Sequence, residues 1–219
     1  MKNIVAINAS PRREWNTSTL VREAARGAAE KANAEAIVYD LYRLEKFTGC
    51  ISCFACKTRA SFGRCACRDG LAPVLESIRG ADGLILGSPN YLGDVTAGFR
   101  ALYERLIFQY ITYAREGMNC SDRRIPVLLI MTGNAPESAY APELPYGQML
   151  ARYRENLSGF IGPTRTFVCG DTLQVKDYSR FNWTLFDPQA KQARRETVFP
   201  KEKEGAYRLG AELLTTQWQ

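Results

Sequence analysis

Five short segments rich in aliphatic residues recur along the chain and are predicted to be β-strands. They are NIVAIN (3–8), AEAIVYD (34–40), ADGLILGS (81–88), IPVLLIMT (125–132) and TRTFVCG (164–170). Three of these segments are nearly continuous apolar runs, which is typical of parallel strands covered on both faces. The pattern therefore predicts a buried parallel sheet.

Helical patterns lie between the predicted strands. The predicted helices cover residues 18–32, 70–81, 97–114, 143–157 and 203–218. Alternation of strand and helix implies right-handed crossovers and an open sheet. We therefore predict an α/β fold with a doubly wound five-stranded parallel sheet of order 2-1-3-4-5. Residues 1–170 form this domain, and residues 171–219 form a C-terminal arm and helix.

The stretch from Asp171 to Pro200 fits no regular element well. It is rich in aromatic residues, namely Tyr178, Phe181, Trp183, Phe186 and Phe199. Aromatic side chains left exposed on an irregular arm would be costly. We therefore expect the arm to pack on its own sheet or on a partner subunit.

The composition suits a single α/β domain. The chain has 219 residues, of which 46% are hydrophobic, so its core needs no disulfides. No run approaches the roughly 20 apolar residues of a membrane-spanning helix, and the first residues are too polar for a signal peptide. We expect a cytoplasmic protein whose thiols stay reduced, with no membrane partner.

Charge and histidine content narrow the function classes further. The formal charge is +6, but the basic residues are scattered and no nucleic-acid motif is present. We therefore expect attraction of phosphorylated small molecules and no nucleic-acid partner. The chain has no histidine, which excludes His-based triads and removes the usual zinc ligand. Hydride or electron transfer by a cofactor needs no histidine and therefore remains compatible with this composition.

The segment N8-A-S-P-R-R-E-W-N-T-S-T-L20 follows the first strand and leads into a helix. It is neither a P-loop nor a GxGxxG motif, but a helix N-terminus with many hydrogen-bond donors binds phosphate well. The donors are Ser10, Asn16, Thr17, Ser18 and Thr19, and Arg12 can supply positive charge. The alternative is that Asn16 or Thr17 merely caps the helix. The number of donors favours a phosphate site.

The segment G87-S-P-N-Y-L-G-D-V-T-A-G98 follows the third strand. In the predicted strand order, strands 1 and 3 flank the switch point where ligands bind. Pro89 and Gly93 would shape a tight loop against a flat ring, and Tyr91 or Leu92 would cover one ring face. The alternative is an ordinary β–α turn. A third loop, T132-G-N-A-P-E137, would border the same ring.

These motifs resemble a known family. S10-P-R-x-x-x-N-T, ADGLILGSPNYLGDVTAGFRALYERL and TGN are similar to the NADPH-dependent FMN reductase and iron–sulfur flavoprotein group of the flavodoxin-like superfamily. The resemblance implies that residues 1–170 form a flavodoxin-like FMN-binding domain in a homodimer or homotetramer. It implies phosphate contacts from Ser10, Arg12, Asn16, Thr17 and Ser18. It implies ring contacts from Pro89, Asn90, Tyr91, Leu92, Gly93 and Asp94, and we add Thr132, Gly133 and Asn134 of the third loop.

Five of the seven cysteines are clustered at positions 50, 53, 56, 65 and 67. The C-x2-C-x2-C opening is the one that bacterial ferredoxins use, and iron–sulfur flavoproteins have a similar motif with a shorter last gap. Candidate ligands of a [4Fe–4S] cluster are Cys50, Cys53, Cys56 and Cys65. Free or redox-active thiols, a four-cysteine zinc site and a disulfide are the alternatives. We expect Cys67 to face the core and Cys169 to serve packing, while Cys120 is isolated.

The sequence therefore predicts an FMN-dependent oxidoreductase. NAD(P)H or a ferredoxin-type protein donor would reduce the flavin at N5, and a small acceptor such as a quinone would reoxidise it. No protein side chain need act as acid or base, and Arg100 is interpreted as a solvated helix residue. The alternative is an iron–sulfur flavoprotein that carries electrons between protein partners. A zinc-binding scaffold that has lost its flavin is a third hypothesis.

Overall fold

The five predicted strands form one parallel sheet in a computed structural model, which describes residues 1–215 and Trp218. The strands are β1 (Lys2–Asn8), β2 (Ala34–Asp40), β3 (Gly83–Pro89), β4 (Val127–Thr132) and β5 (Thr164–Cys169). The helices are α1 (Asn16–Ala32), α2 (Ala72–Gly80), α3 (Ala97–Phe108), α4 (Pro145–Phe160), α5 (Pro188–Thr197) and α6 (Phe199–Glu212). Within these residues, no helix is long and apolar enough to cross a membrane.

The strand order is β2-β1-β3-β4-β5, which confirms the predicted fold class. Neighbouring strands are parallel, with Ile4 opposite Gly83 and Leu84 opposite Val127. The carboxyl ends of β1, β3 and β4 therefore lie at one edge of the sheet. The three predicted loops leave the sheet at that edge.

Alternate residues of each strand face two separate cores. Val5 and Ile7 of β1 belong to a core shared with α2, α3 and α4. Ile4 and Ala6 belong to a second core shared with α1 and α6. Both faces of the sheet are thus covered, which explains why the strands read as continuous apolar runs.

The C-terminal helix α6 packs directly on α1. A Cβ added at Gly210 would lie 1.9 Å from the Ala24 carbonyl oxygen, and one added at Gly27 would lie 2.1 Å from the Tyr207 carbonyl oxygen. Only glycine permits so close an approach of two helix backbones. The end of the C-terminal arm therefore packs on this chain's own sheet layer.

The largest differences between the predicted and observed helices lie in α3 and α6. Helix α3 ends at Phe108 rather than at 114, because the Lys57 ammonium donates hydrogen bonds to the carbonyl oxygens of Phe108 and Ile111. Helix α6 begins at Phe199 rather than at 203, since Pro200 fits the first turn of a helix. It ends at Glu212, and residues 216 and 217 of the predicted 203–218 helix lie outside the described residues.

The stretch from Asp171 to Pro200 is more regular than predicted. It contains a short 3-10 turn at Tyr178–Arg180 and the ten-residue helix α5. The Asp187 side chain caps α5 by accepting hydrogen bonds from the backbone N–H groups of Gln189 and Ala190. Asp187 followed by Pro188 is an ordinary helix start, so the signal was present in the sequence.

Candidate functional site

A cleft with an empty volume of about 430 Å³ opens at the carboxyl ends of β1, β3 and β4. It is lined by residues from all three predicted loops. The predicted cofactor-binding residues in its walls are Ser10, Arg12, Asn16, Thr17, Pro89, Asn90, Tyr91, Thr132, Gly133 and Asn134. Ser18, Leu92, Gly93 and Asp94 lie next to the cleft without lining it. The structure therefore joins the three loops in one site.

The first loop presents the N-terminus of α1 to the cleft. The first turn of a helix leaves backbone N–H groups without intrahelical acceptors, and α1 has no acidic residue there. Ser18 serves the helix itself, because its Oγ accepts from the Trp15 N–H at 2.9 Å and donates to the Trp15 carbonyl oxygen at 2.9 Å. The remaining donors and the helix dipole create a site for an anion.

The hydroxyls of Thr17 and Thr132 lie 2.7 Å apart and are hydrogen-bonded in a buried position. This bond links the first loop to the end of β4. Ser10 is also buried, and its Oγ accepts a hydrogen bond from the Arg12 N–H at 3.1 Å. The first loop is thus held in one shape by contacts of its own polar side chains.

The second loop forms a tight turn between Tyr91 and Asp94. The Tyr91 N–H donates to the Asp94 carbonyl oxygen at 2.7 Å, and the Asp94 N–H donates to the Tyr91 carbonyl oxygen at 3.1 Å. Leu92 and Gly93 have φ values of 55° and 83°, as both central residues of a type I′ turn require. The Leu92 side chain is fully exposed, so the Tyr91 ring borders the cleft and the Leu92 side chain does not.

Two tyrosines that the sequence analysis did not single out fix the second loop. The Tyr153 hydroxyl donates to Asp94 Oδ1 at 2.7 Å, and Asn90 Nδ2 donates to the Tyr140 hydroxyl at 2.9 Å. Burial raises the pKa of Tyr153 to about 12, so its hydroxyl keeps its proton at neutral pH. Arg100 is exposed and donates to the same hydroxyl at 3.2 Å. Arg100 is therefore a solvated helix residue, as the sequence suggested.

The segment after β5 covers the first loop. Trp15 Nε1 and Asn16 Nδ2 each donate to the Leu173 carbonyl oxygen at 2.9 Å. The Arg12 guanidinium donates to the carbonyl oxygen of Gln174. These contacts attach the C-terminal arm to the phosphate loop, and no local pattern in the sequence indicates them.

Helix α5 contributes two cations to the same region. Arg195 Nη1 donates to Asn16 Oδ1 at 2.6 Å, and Lys191 Nζ donates to Asn134 Oδ1 at 2.7 Å. Lys191 is buried and also pairs with Asp171. Positive side chains from the arm therefore contact both the first and the third loop of the cleft.

The cleft contains a buried acceptor without a donor. Among the described residues, Gln174 Oε1 has no hydrogen-bond partner, and Gln174 lines the cleft. A buried unpaired acceptor costs free energy, so a ligand carrying a hydroxyl or imide N–H donor would satisfy it. FMN offers such donors together with a phosphate for the helix N-terminus. The residues present therefore fit FMN.

The clustered cysteines surround a second cavity, whose empty volume is about 350 Å³. The cysteines that line it are Cys50, Cys53, Cys56, Cys65 and Cys67. Ser52 and Phe54 have φ values of 53° and 55°, a left-handed conformation that is costly for such residues and common at functional sites. Cys67 lines this cavity instead of facing the core as predicted. Cys169 is fully buried in the core, as predicted.

Nitrogen donors converge on the cysteine cavity. The buried Arg105 donates to Cys65 Sγ at 3.3 Å and pairs with both carboxylate oxygens of Asp69 at 2.7 Å. Gln109 Nε2, also in the cavity wall, is buried with no partner among the described residues. Burial raises the pKa of the Cys56 thiol and of the Cys67 thiol.

The thiols line the wall of the cavity and do not converge on one point. In residues 1–215 and Trp218, no three Cys, His, Asp or Glu side chains are placed to hold a single metal ion. An iron–sulfur cluster is larger than one ion. The Gln109 amide, which has no partner among the described residues, would donate a hydrogen bond to a sulfur of such a cluster. Among the described residues, the thiols as placed therefore form no site for a single metal ion.

The fold and the cleft at the switch point define a flavodoxin-like protein. The chain belongs to the NADPH-dependent FMN reductase family, whose model matches residues 2–138. This confirms the resemblance stated from the sequence, and it supports FMN as the cofactor. The arm after residue 138, including α5, lies outside the matched region.

Curated relatives are iron–sulfur flavoproteins of archaea. The chain is 38% identical over 104 residues to the one from Methanocaldococcus jannaschii, which covers 47% of this chain and 50% of the relative. It is 29% identical over 104 residues to the one from Methanosarcina thermophila, covering 48% of this chain and 52% of the relative. The chain spans about half the length of the curated relatives it matches.

Solved structures share the fold at low sequence identity. An NAD(P)H:quinone oxidoreductase from Methanothermobacter marburgensis has a TM-score of 0.66 at 15% identity, covering 97% of this chain and 96% of that protein. An azoreductase from Bacillus anthracis has a TM-score of 0.67 at 15% identity, covering 97% of this chain and 100% of that protein. These similarities extend to the C-terminal arm and support the fold.

Proposed function

We propose that this chain is an FMN-dependent oxidoreductase that passes electrons from NAD(P)H, or from a protein donor, to a small acceptor such as a quinone. The observation that carries the proposal is the convergence of three polar loops on one cleft at the switch point of the sheet. The family model, together with the quinone and azo reductases among the structural neighbours, supports this reaction class.

The chain's own residues bind and orient the cofactor. Ser10, Arg12, Asn16 and Thr17 would hold the phosphate at the start of α1. Asn90, Tyr91 and the third loop would border the ring. Bound FMN supplies both hydride acceptance and one-electron transfer. The protein supplies no histidine base, and hydride transfer requires none.

Anaerobic reduction tests this proposal. Protein loaded with FMN is mixed with NADPH or NADH, and the loss of flavin absorbance is followed before and after a quinone is added. We expect bleaching by at least one nucleotide and recovery on adding the quinone. Protein that binds FMN but is bleached by neither nucleotide would contradict the reductase role and leave a protein donor as the source of electrons.

A second candidate function is electron transfer by an iron–sulfur flavoprotein. The cysteine cavity favours it, because five thiols, a buried guanidinium and an unpaired amide donor line one space. We propose Cys50, Cys53, Cys56 and Cys65 as ligands of a [4Fe–4S] cluster. The names of the curated relatives point in the same direction. A cluster would let a one-electron protein donor such as a ferredoxin reduce the flavin.

Iron and acid-labile sulfide assays on protein purified without oxygen separate the two candidates. We expect about four irons per chain if the cubane cluster is present. Flavin without iron would leave a nicotinamide-dependent reductase with free thiols. Zinc without flavin would support the scaffold hypothesis instead.

We also propose a cytoplasmic location, where exposed and half-buried thiols stay reduced. A homodimer or homotetramer remains our expectation from the family resemblance. Size-exclusion chromatography with light scattering tests the assembly state.

A further inference from the structure

Trp15 lies at the junction of three cavities. It lines the cofactor cleft, an adjoining cavity formed with residues 174–181, and an open groove with an empty volume of about 1610 Å³. Arg12 and Gln174 line both the cofactor cleft and the adjoining cavity. Phe181 lines both the adjoining cavity and the groove. The three spaces therefore adjoin one another between the cofactor cleft and the surface of the arm, and together they are called the track.

The groove contains exposed aromatic rings. Phe181 and Trp183 are stacked with ring centroids 4.5 Å apart, and Tyr178 contacts Trp183 edge-on at 5.9 Å. Phe181 is 42% exposed and Trp183 39% exposed, although both are large apolar side chains. A flat heteroaromatic ring stacks well on such a platform.

The adjoining cavity is positively charged. It is lined by Arg12, Lys176 and Arg180, with Asp177 as its single acidic residue. Asp177 Oδ1 accepts hydrogen bonds from the Ser179 N–H at 3.0 Å and from the Ser179 hydroxyl at 2.6 Å. In the described part of the chain, neither Lys176 nor Arg180 forms a hydrogen bond or a salt bridge. Two unpaired cations beside an aromatic platform are complementary to a phosphorylated nucleotide.

We propose that this track binds the adenosine end of a nicotinamide dinucleotide and favours the phosphorylated form. Adenine would stack in the groove on Phe181 and Trp183, and Lys176 and Arg180 would bind the phosphates. The proposal rests on the proposed function, because the nicotinamide end must reach the FMN cleft. It assigns the choice of nucleotide to the arm, which lies outside the region matched by the family model.

Ligand binding without turnover tests the proposal. The probe is adenosine 2′,5′-bisphosphate, titrated into flavin-free and FMN-loaded protein while tryptophan fluorescence is followed. The test variant is Lys176→Gln with Arg180→Gln. The matched control is Lys201→Gln with Arg208→Gln, which removes the same charge from exposed positions of α6.

We expect the wild type and the control to bind the probe equally. The test variant should bind it at least about tenfold more weakly, since two charge-assisted contacts are lost. Its affinity for FMN should be unchanged. Trp183→Ala should weaken binding of the adenosine probe but not binding of inorganic pyrophosphate, because the change removes only the stacking surface.

Equal binding of the probe by the test variant and the wild type would overturn the proposal. So would displacement of the probe by one further equivalent of free FMN, which would make the groove a second flavin site. A dimer that buries Trp183 and binds no probe would identify a second copy of the chain as the occupant. The loss of probe binding in the test variant is measured on FMN-loaded protein without turnover, whereas the proposed function is tested by flavin reduction, so failure of the proposed function and failure of this inference are distinguishable.

Discussion

Arg195 Nη1 donates to Asn16 Oδ1 at 2.6 Å, joining two residues that are 179 positions apart. The same guanidinium lies 3.7 Å from the centre of the Phe199 ring and 5.7 Å from that of Trp15. Burial lowers the pKa of Arg195, but an arginine stays charged at neutral pH. A fixed positive charge from the C-terminal arm therefore lies beside the proposed phosphate site.

Arg195→Gln should weaken FMN binding. The change removes the charge beside the anion site and leaves Asn16 Oδ1 without its donor. We expect the dissociation constant for FMN to rise by about tenfold or more, and that for riboflavin to change much less, because riboflavin has no phosphate. Flavin fluorescence quenching measures both constants. Arg208→Gln on the exposed side of α6 is the control, and an equal loss for FMN and riboflavin would contradict the charge role.

Tyr153→Phe should change the alkaline stability of the protein. The pKa of Tyr153 is raised to about 12 in the folded state against about 10 when unfolded, so the unfolded state releases its proton first. The stabilising contribution is complete below pH ~10 and is lost as pH rises towards ~12. Between about pH 9 and about pH 11, the wild type should lose about 1 kcal/mol more unfolding free energy than the variant.

Urea denaturation at both pH values measures this difference. Tyr113→Phe is the control, because Tyr113 is 73% exposed. A parallel loss of stability in wild type and Tyr153→Phe would show that the Tyr153 hydroxyl is not protected as the structure implies. At neutral pH, Tyr153→Phe should also loosen the Tyr91–Asp94 turn and weaken FMN binding.

Gly210→Ala should destabilise the fold strongly. The new methyl group would lie 1.9 Å from a backbone oxygen of α1, which cannot move without separating the two helices. We expect a loss of about 3 kcal/mol in the free energy of unfolding. Gly159→Ala is the matched change, since no atom lies within 4 Å of the added carbon, and it should stabilise α4 by about 0.5–1 kcal/mol. Equal effects of the two changes would contradict the close packing of α1 and α6.

In protein that carries the proposed cluster, Cys56→Ser should abolish or sharply reduce bound iron while leaving FMN binding intact. Cys56 is buried and lines the cysteine cavity, so a hydroxyl there would replace a thiolate ligand. Cys120→Ser is the control, because Cys120 does not line the cavity. Iron and sulfide per chain are the measured quantities. Iron retained at wild-type level in Cys56→Ser would contradict its assignment as a ligand.

Gln109→Leu tests the donor role of Gln109 at the same cavity. Gln109 is 2% exposed and its Nε2 has no partner among the described residues, so it would donate to a sulfur of the proposed cluster. Removing the donor should make the iron more easily extracted by a chelator. Extraction at the wild-type rate would show that the amide makes no bond to the cluster.

The sheet was predictable because each strand is encoded by a short contiguous stretch of sequence. Each strand is an apolar run bounded by polar loops, and the order of strands follows from the alternation with helices. The first and second loops were predictable for the same reason. Their hydroxyls, amides and turn residues are adjacent in sequence, and the topology brings them to one edge.

The contribution of α5 was not predictable from local patterns. Asp187 and Pro188 mark the start of α5, but its single buried side chain is Lys191, so no apolar stripe indicates that the helix packs against the cleft. Its contacts reach Asn134 and Asn16, which are 57 and 179 positions away. The end of α3 depends likewise on Lys57, which lies 51 positions before Phe108. Such boundaries are set by tertiary contacts and not by propensity.

Equilibrium titration of the purified chain with FMN and with riboflavin is the sharpest test of the cleft as an FMN site. We predict one FMN per chain and binding of riboflavin weaker by at least about tenfold, because the start of α1 would hold the phosphate. Failure to bind FMN, or equal affinity for the two flavins, would contradict the assignment of the cleft.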